Sequence, residues 1–369
     1  MARLSNYELL RIASLMLIIG IHVSAEPLKA IPVSSVNWYV ANLVDSICRP
    51  GVNIFVLVGA FFMVDMNRFD IRVWKRVWRI IYPLAVYILV LASYVILVES
   101  VDVPWLSFLQ SILNGKLGVL GPIWYGHLWF IYPYLVLIVI SPILNMVVEA
   151  ADKRTFHLIM LVLLTFFVFF PTINDYSRMA LVYVPISSIG LFVTLYFTAA
   201  YIKKFSVQIK FWKGALLFLL CGVTVSLLTW FYTDQLISPE ASPHGLVLNF
   251  YHYNGILVYA ASVAIFLGIR SISLQSRTVN FVGRATYDAY LVHTIFIYVL
   301  GTWIVYTDYY YESVITFIAI TLGLITLITG CSLFYGMLRA GMDAGLKMIW
   351  NKTSFSQWLR VRIEPEEKK

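Results

Sequence analysis

Long apolar runs separated by short polar segments follow one another along most of the chain. A helix that crosses a membrane needs about 20 mostly apolar residues, so each run of that length predicts one spanning helix. The runs lie near residues 10–25, 39–64, 77–98, 127–148, 157–171, 182–202, 214–233, 251–269, 282–305 and 313–338. The pattern therefore predicts an all-α polytopic membrane protein with about ten transmembrane helices.

The composition agrees with this pattern. Hydrophobic residues make up 60% of the 369 residues and charged residues 12%, against about 45–50% and ~25% in soluble domains. We therefore expect one membrane domain over residues 1–340, a basic cytoplasmic tail over residues 341–369, and no separate soluble domain. The net charge of +8 belongs to residues that form no soluble domain, so we expect the lipid bilayer as a partner and no nucleic acid. The three cysteines offer no metal-ligand spacing, and no metal is expected.

Lysine and arginine are distributed unevenly between the two sides of the predicted bundle. With the N-terminus in the cytoplasm, 23 of the 27 basic residues fall in cytoplasmic segments. The four assigned to outer segments are Lys29, Arg49, Lys116 and Arg178. Basic residues accumulate on the cytoplasmic side of membrane proteins. Because an even number of spans returns the chain to its starting side, we expect both termini to be cytoplasmic.

The first apolar run, ELLRIASLMLIIGIH at residues 8–22, has ionisable residues at both ends. The spacing of Arg11 and His22 places them on one helix face, about 20° apart and ~16 Å apart along the axis. Glu8 lies three residues before Arg11, where the two can pair. In one interpretation Arg11 is a membrane-surface anchor and His22 a hydrogen-bonded residue near the helix end. In the other they belong to a functional site, because ionisable groups inside a membrane are costly.

The same run also has features of a cleaved signal peptide, with a cleavage site at Val23-Ser24-Ala25. Glu8 in the basic region and Pro27 next to the cut argue against cleavage. Removal of the first helix would also leave nine spans and an N-terminus outside. We therefore interpret this run as a retained spanning helix.

Three arginines stand at the start of the third run, in RVWKRVWRIIYP at residues 72–83. Arg72, Arg76 and Arg79 follow the spacing i, i+4 and i+7, which aligns them on one helix face. Planar guanidinium groups in this arrangement suit a diphosphate or a phosphomonoester. Anchoring by the positive-inside rule is the alternative explanation.

The fourth run begins with GPIWYGHLWFIYPY at residues 121–134, where His127 and Trp129 stand among aromatic residues. A belt of aromatic side chains at the outer membrane interface explains most of these rings. A histidine with aromatic faces also suits a sugar that accepts a chemical group. Both interpretations are open from the sequence.

The ninth run contains GRATYDAYLVHTIF at residues 283–296. Asp288 and His293 within it are expensive to expose to lipid, so we expect both to face the interior of the bundle. Tyr290 lies between them. The run therefore predicts two ionisable residues inside the bundle.

Five stretches, taken together and in order, resemble the integral-membrane acyltransferase family of the acyltransferase 3 type, in its branch of bacterial surface-polysaccharide O-acetyltransferases. They are the Glu8, Arg11 and His22 pattern, NIFVLVGAFF at residues 53–62, Arg76 with Arg79, HLWFI at residues 127–131, and TYDAYLVH at residues 286–293. This sequence departs from the family pattern at Ile12, where a glycine is usual, and at Val58, where a serine is frequent. Both departures concern packing more than chemistry.

The resemblance implies a membrane-bound O-acyltransferase, whose acyltransferase domain covers residues 1–340, in the bacterial cytoplasmic (inner) membrane. It implies cytosolic acetyl-coenzyme A as the acyl donor and a hydroxyl of an envelope glycan or a lipid-linked saccharide as the acceptor. A histidine in an apolar interior is neutral and can serve as a general base. A transient acyl-histidine is the alternative mechanism, and the sequence leaves both open.

These implications give each candidate residue a role. The catalytic candidates are His22, Glu8, His293 and Asp288; the coenzyme A candidates are Arg11, Arg72, Arg76 and Arg79; the acceptor-side candidates are His127, Trp129 and Tyr290. Two alternatives remain at this stage. The first is a polysaccharide or lipid transporter that uses intramembrane charge as a relay, and the second is the same fold with succinyl or another acyl donor.

Overall fold

A computed structural model of the protein describes residues 4–64, 71–100, 102, 104–113, 119–120, 123–177, 187–235, 248–303 and 307–352. Its α-helices are α1 (Ser5–Ala30), α2 (Val36–Cys48), α3 (Gly51–Met63), α4 (Ile71–Leu97), α5 (Trp105–Leu113), α6 (Ile131–Ala150), α7 (Lys153–Leu164), α8 (Phe170–Ser177), α9 (Ser187–Lys204), α10 (Phe211–Gln235), α11 (Ile256–Arg270), α12 (Arg277–Val282), α13 (Thr286–Trp303) and α14 (Val314–Lys352). Short 3₁₀ helices are formed by Gly126–Phe130, Leu248–Tyr251, Gly283–Ala285 and Thr307–Tyr311, and a π-helical turn by Thr165–Phe169. The two-residue strands β1 (Val119–Leu120) and β2 (Ile123–Trp124) pair antiparallel, with Val119 opposite Trp124.

Seven helices within the described residues are long and apolar enough to cross a membrane. They are Ser5–Ala30, Val36–Met63, Arg72–Leu97, Gly126–Ala150, Lys153–Ile173, Phe211–Thr233 and Val314–Gly345. The prediction of an all-helical, multi-pass membrane protein is therefore confirmed. The other three predicted spans coincide with α9, α11 and α13, which have 18, 15 and 18 residues, and the count of about ten stays a prediction.

The second predicted span is broken into α2 and α3 at Arg49 and Pro50. Proline has no backbone N–H to continue the helical hydrogen bonds, which favours a break here. Gly51 follows, and the backbone of α1 comes so close that a Cβ at this position would lie 2.8 Å from Leu17 Cβ. Arg49 therefore lies inside a span, and its assignment to an outer segment is wrong.

Helix α1 is surrounded by other helices and packs on α2, α3, α11, α12, α13 and α14. It runs antiparallel to the α2–α3 pair: Gly20 faces Cys48, the Ser14 hydroxyl donates to the Gly51 carbonyl at 2.5 Å, and Tyr7 stacks on Phe61 at 4.9 Å between ring centroids. The first helix is thus the central element of the bundle.

Helices α1 and α13 run in the same direction. Glu8, near the start of α1, lies against Gly283 just before α13, and His22 contacts His293 further along both helices. Two neighbouring helices that cross the membrane in the same direction require an odd number of membrane crossings in the chain between them. Helix α14 continues to Lys352, so the predicted tail begins within a helix, and residues 353–369 of that tail lie outside the described residues.

Candidate active site

Three histidines from separate parts of the chain meet inside the bundle. His22 comes from α1, His127 from the 3₁₀ helix before α6, and His293 from α13. The ring centroids of His22 and His293 are 5.1 Å apart, and those of His127 and His293 are 4.9 Å apart. His127 and His293 are buried, whereas His22 is half-buried. We call these three residues the histidine cluster.

The hydrogen bonds of the cluster fix the proton positions on two of its rings. His293 Nδ1 lies 2.5 Å from the Tyr290 carbonyl oxygen. A carbonyl only accepts, so Nδ1 carries the hydrogen and Nε2 has the lone pair. That Nε2 is buried and has no hydrogen-bond partner among the described residues. In the same way His127 Nε2 donates to the Leu291 carbonyl at 3.1 Å, which leaves the lone pair on Nδ1.

Tyr290 connects two members of the cluster. Its hydroxyl donates to the backbone carbonyl of His127, and its ring lies 5.5 Å from that of His127 and 5.7 Å from that of His293. Tyr290 and His293 are three residues apart in a helix, so they share one face. The ring of Tyr87 of α4 lies 5.8 Å from that of His127. A tyrosine within a long apolar run gives no sequence signal of a site.

The predicted pair at the start of α1 is present. Arg11 Nη1 donates to both carboxylate oxygens of Glu8, at 3.0 and 3.2 Å. Glu8 is buried against Gly283, where a Cβ would lie 2.5 Å from Glu8 Oε2. The guanidinium of Arg11 lies 5.8 Å from the ring centroid of Phe62. Glu8 therefore holds Arg11 at the carboxyl end of α3.

Cations and an amide from three helices bind the last carbonyls of α3. Lys203 Nζ donates to Phe61 at 3.1 Å, Arg76 Nη2 to Phe62 at 2.7 Å, and Asn145 Nδ2 to Met63 at 2.9 Å. Positive charge at the carboxyl end of a helix is favourable because of the helix dipole. Arg270 also lies over the Phe61 ring, at 5.5 Å. We call Arg11, Arg76, Lys203 and Arg270 the basic cluster. The sequence did not point to Lys203 and Arg270, because α9 and α11 are far from the predicted arginines along the chain.

The three arginines of α4 do not behave alike. Arg76 is half-buried and turned toward α3, and it interacts electrostatically with Arg11 and Arg79. Arg72 and Arg79 are exposed at the same end of the bundle. The bond from Arg76 to the Phe62 carbonyl therefore gives this arginine a structural role at the end of α3.

Asp288 lies in an ion pair and makes no bond to the histidine cluster within the described residues. Arg339 of α14 donates from Nη2 to Asp288 Oδ2 at 2.9 Å and from Nη1 to Asp343 Oδ2 at 2.6 Å. Gly336 permits the close approach, since a Cβ there would lie 3.2 Å from the Asp288 Cβ. Asp288 thus fixes the start of α13 against α14.

Trp129 lies next to the cluster on the chain but faces a different neighbour. Its ring is half-buried and stacks on Tyr253, with centroids 5.4 Å apart and planes at 21°. His127 itself is buried and touches His293, so a position in an aromatic belt at the membrane surface does not describe it. The described part of the chain contains no group of three ligands that could hold a metal ion.

Comparison with known proteins assigns the chain to a family. The profile of a family described as an acyltransferase domain matches residues 4–336, a range that includes every residue of the histidine and basic clusters. No curated protein and no solved structure gives a significant match. The match extends over nearly the whole chain and over the spanning helices. The chain therefore belongs to the acyltransferase 3 family of membrane proteins.

Proposed function

We propose that this protein is a membrane-bound O-acyltransferase that transfers an acyl group, which we take to be acetyl, from cytosolic acyl-coenzyme A to a hydroxyl of an envelope glycan or a lipid-linked saccharide. Family membership supports acyl transfer in general. The observation that carries the finer proposal is the meeting of the three histidines inside the spanning bundle. His22 of this cluster lies about three helical turns, or ~16 Å, beyond Arg11 along α1.

The basic cluster is our proposed site for the phosphates of the donor. Coenzyme A carries a diphosphate and a 3′-phosphate, and guanidinium forks bind such groups through paired hydrogen bonds. The positive charges of Arg11 and Arg76 are close enough to repel each other, which an anion between them would relieve, and exposed Arg72 and Arg79 extend the positive surface. Since acyl-coenzyme A is cytosolic, we place this end and both termini at the cytoplasmic face of the bacterial cytoplasmic membrane.

The reaction we propose is a direct transfer. The acceptor hydroxyl oxygen attacks the thioester carbonyl carbon while an imidazole nitrogen takes the hydroxyl proton. The carbon–sulfur bond then breaks, and the coenzyme A thiolate leaves and takes up the proton from the imidazolium. His22 is the half-buried member of the cluster, so we assign it as the base that touches the substrates.

The remaining candidates support this assignment in different ways. His293 has a buried Nε2 lone pair directed away from its bond to Tyr290, and we propose that it receives or returns the proton beside His22. Glu8 holds Arg11, and Asp288 holds α13 through Arg339. His127, Tyr290 and Trp129 are proposed to line the acceptor side.

An acyl-histidine intermediate is the second mechanism for the same residues. In it the His22 nitrogen attacks the thioester carbon, coenzyme A leaves, and the acceptor hydroxyl then displaces the histidine. Quenching the protein after incubation with radiolabelled acetyl-coenzyme A, in the absence of acceptor, distinguishes the two. Direct transfer leaves the protein unlabelled, whereas the acyl-histidine route labels wild type and not His22→Ala.

Titration of the detergent-solubilised protein with acetyl-coenzyme A, succinyl-coenzyme A and free coenzyme A tests the function. We expect saturable binding of acetyl-coenzyme A that weakens as salt is added, and incorporation of label into the envelope saccharide fraction. A protein that binds none of the three contradicts the proposal and favours a transporter. Tighter binding and faster turnover of succinyl-coenzyme A would change the donor and leave the reaction type intact.

A further inference from the structure

A buried ion pair lies at the break between α2 and α3, outside the site proposed so far. Arg49 Nε lies 2.5 Å from Asp45 Oδ1, and Arg49 Nη2 lies 2.9 Å from Asp45 Oδ2. Asp45 is 1% exposed on its side chain and Arg49 14%. Both charges stand in the middle of a segment that crosses the membrane. Ionisable groups there are costly and mark functional sites by default.

The guanidinium of Arg49 lies near the level of His22, displaced from the basic cluster toward the end of α1. Because α1 and α2 are antiparallel and Cys48 faces Gly20, Asp45 lies level with the turn of α1 that contains His22. Arg49 reaches back along α2 to that carboxylate. It also interacts electrostatically with His22. The pair therefore lies near the height of His22, away from Arg11 along the axis of α1.

Aromatic residues form one wall beside this pair. The Arg49 guanidinium lies over the Tyr251 ring at 4.5 Å, and the Tyr253 side chain is close enough to Arg49 to interact with its charge. Tyr253 in turn stacks on Trp129 at 5.4 Å. Arg49 thus connects the histidine cluster to an aromatic platform made of Trp129 and Tyr253.

Asn53, one turn after Arg49, belongs to the same surroundings. Its amide nitrogen donates to the Tyr253 carbonyl at 2.7 Å. Its Oδ1 is fully buried and has no hydrogen-bond partner among the described residues. Buried polar atoms are nearly always satisfied, so an unsatisfied one in a spanning helix calls for an explanation. A hydroxyl group of a bound molecule has the right chemistry, because it donates a hydrogen bond that Asn53 Oδ1 accepts.

The net charge of the Asp45–Arg49 pair differs from that of the basic cluster. Asp45 neutralises Arg49, whereas the basic cluster brings four cations together at the end of α3, where Glu8 pairs with Arg11. A neutral pair suits a molecule rich in hydroxyl groups and without phosphate. Asp45 accepts from Nε and Nη2 of the guanidinium, and Nη1 carries two further N–H donors that suit oxygen acceptors.

We infer that Arg49, Asn53, Tyr253 and Trp129 form the subsite that binds the sugar ring of the acceptor and presents its hydroxyl to His22. This inference rests on the proposed function. Asp45 is a positioning residue, since it holds the guanidinium and does not touch the acceptor. Planar polar groups beside a stacked aromatic surface provide both the hydrogen bonds and the apolar contact that a sugar ring requires.

Initial rates of transfer from radiolabelled acetyl-coenzyme A test the subsite, with the saccharide fraction of the source envelope as the acceptor probe. We expect Arg49→Lys and Trp129→Leu to raise the apparent KM for that fraction at least tenfold. The KM for acetyl-coenzyme A should change less than twofold. Lys29→Gln, in the exposed Glu26–Lys29 pair, is the matched control and should change neither constant.

Tyr253→Phe keeps the platform and removes only the hydroxyl beside Arg49. We expect this variant to fold even if Arg49→Lys, which loses the two-point pair with Asp45, does not, and we expect a three- to tenfold rise in the acceptor KM. Unchanged acceptor KM in folded Arg49→Lys and Tyr253→Phe overturns the inference, as does a loss confined to kcat. Failure of wild type to bind acetyl-coenzyme A would instead refute the proposed function, so the two failures are distinguishable.

Discussion

The imidazole of His22 lies 5.1 Å from the imidazole of His293, between ring centroids, although one belongs to the first helix and the other to α13. His293 donates its Nδ1 hydrogen to the Tyr290 carbonyl, so its basic nitrogen is the one that the backbone does not use. The two rings can therefore act on one proton. This relationship makes the two histidines the most informative positions to change.

Replacing His22 or His293 separately with alanine tests that relationship. General base catalysis contributes about 10²–10⁴-fold to a rate. We expect each variant to lose at least 100-fold in kcat, because the histidine that remains has no second imidazole with which to exchange the proton. Acetyl-coenzyme A affinity, measured by titration in detergent, should stay within twofold. His157→Ala is the control, since His157 is exposed and bonded to Tyr201; near-normal transfer by either cluster variant would refute the mechanism.

Arg76→Ala and Arg79→Ala separate donor binding from structure. Both should weaken acetyl-coenzyme A binding about tenfold, because each removes a cation from the proposed phosphate site. The melting temperature should fall for Arg76→Ala, which loses the bond to the Phe62 carbonyl, and stay constant for Arg79→Ala, which is exposed. A salt titration of binding provides the second measurement. If both variants bind acetyl-coenzyme A as tightly as wild type at low salt, these arginines serve only to orient the protein in the membrane.

Gly283→Ala tests whether Glu8 must stay where it is. The added Cβ would meet Glu8 Oε2 at 2.5 Å and Glu8 Cβ at 2.7 Å, so the carboxylate has to move and Arg11 loses its position. We expect a lower melting temperature and at least fivefold weaker donor binding. Gly323→Ala is the matched control because a Cβ at that glycine has nothing within 4 Å. Identical melting and binding in the two variants would contradict this packing argument.

Asp288→Asn tests the difference between holding a helix and taking part in catalysis. Asp288→Asn leaves Asp343 as the remaining carboxylate partner of Arg339, so we expect the loss of stability to be smaller than the ~3–5 kcal/mol of an uncompensated buried charge. We expect a clear loss of thermal stability in detergent, with kcat at low temperature reduced less than tenfold. A stable Asp288→Asn protein that loses 100-fold or more in kcat would instead place Asp288 in the proton transfer.

Much of the architecture follows from local pattern. The run from Glu8 to His22 predicts both a helix and a shared face, and that face turns toward α13, with Glu8 at Gly283 and His22 at His293. Each long apolar run predicts a helix, because a helix satisfies the polar groups of its own backbone and few other structures can do so in lipid. The break at Pro50 was not expected, since a proline within an apolar run is compatible with a kinked span.

The sequence also accounts for part of the candidate site. Helical spacing alone accounts for the Glu8–Arg11 pair and for the common face of Tyr290 and His293. The sequence could have revealed Asp45 and Arg49 as well, because their i, i+4 spacing inside an apolar run predicts an intramembrane pair. Counting Arg49 as an outer residue concealed it.

The sequence by itself determined that the chain forms a series of long apolar helices, that Glu8 and Arg11 share one helix face, and which ionisable residues a membrane makes costly. Only the tertiary structure decided that His22, His127 and His293 share one place, that Asp288 pairs with Arg339, and that Arg76 caps α3. The physical reason is that periodicity fixes directions around a single helix axis, within one segment of chain. Which helices stand side by side, and at what relative height, depends on packing between segments that are far apart in sequence, such as the contact of Gly51 with α1.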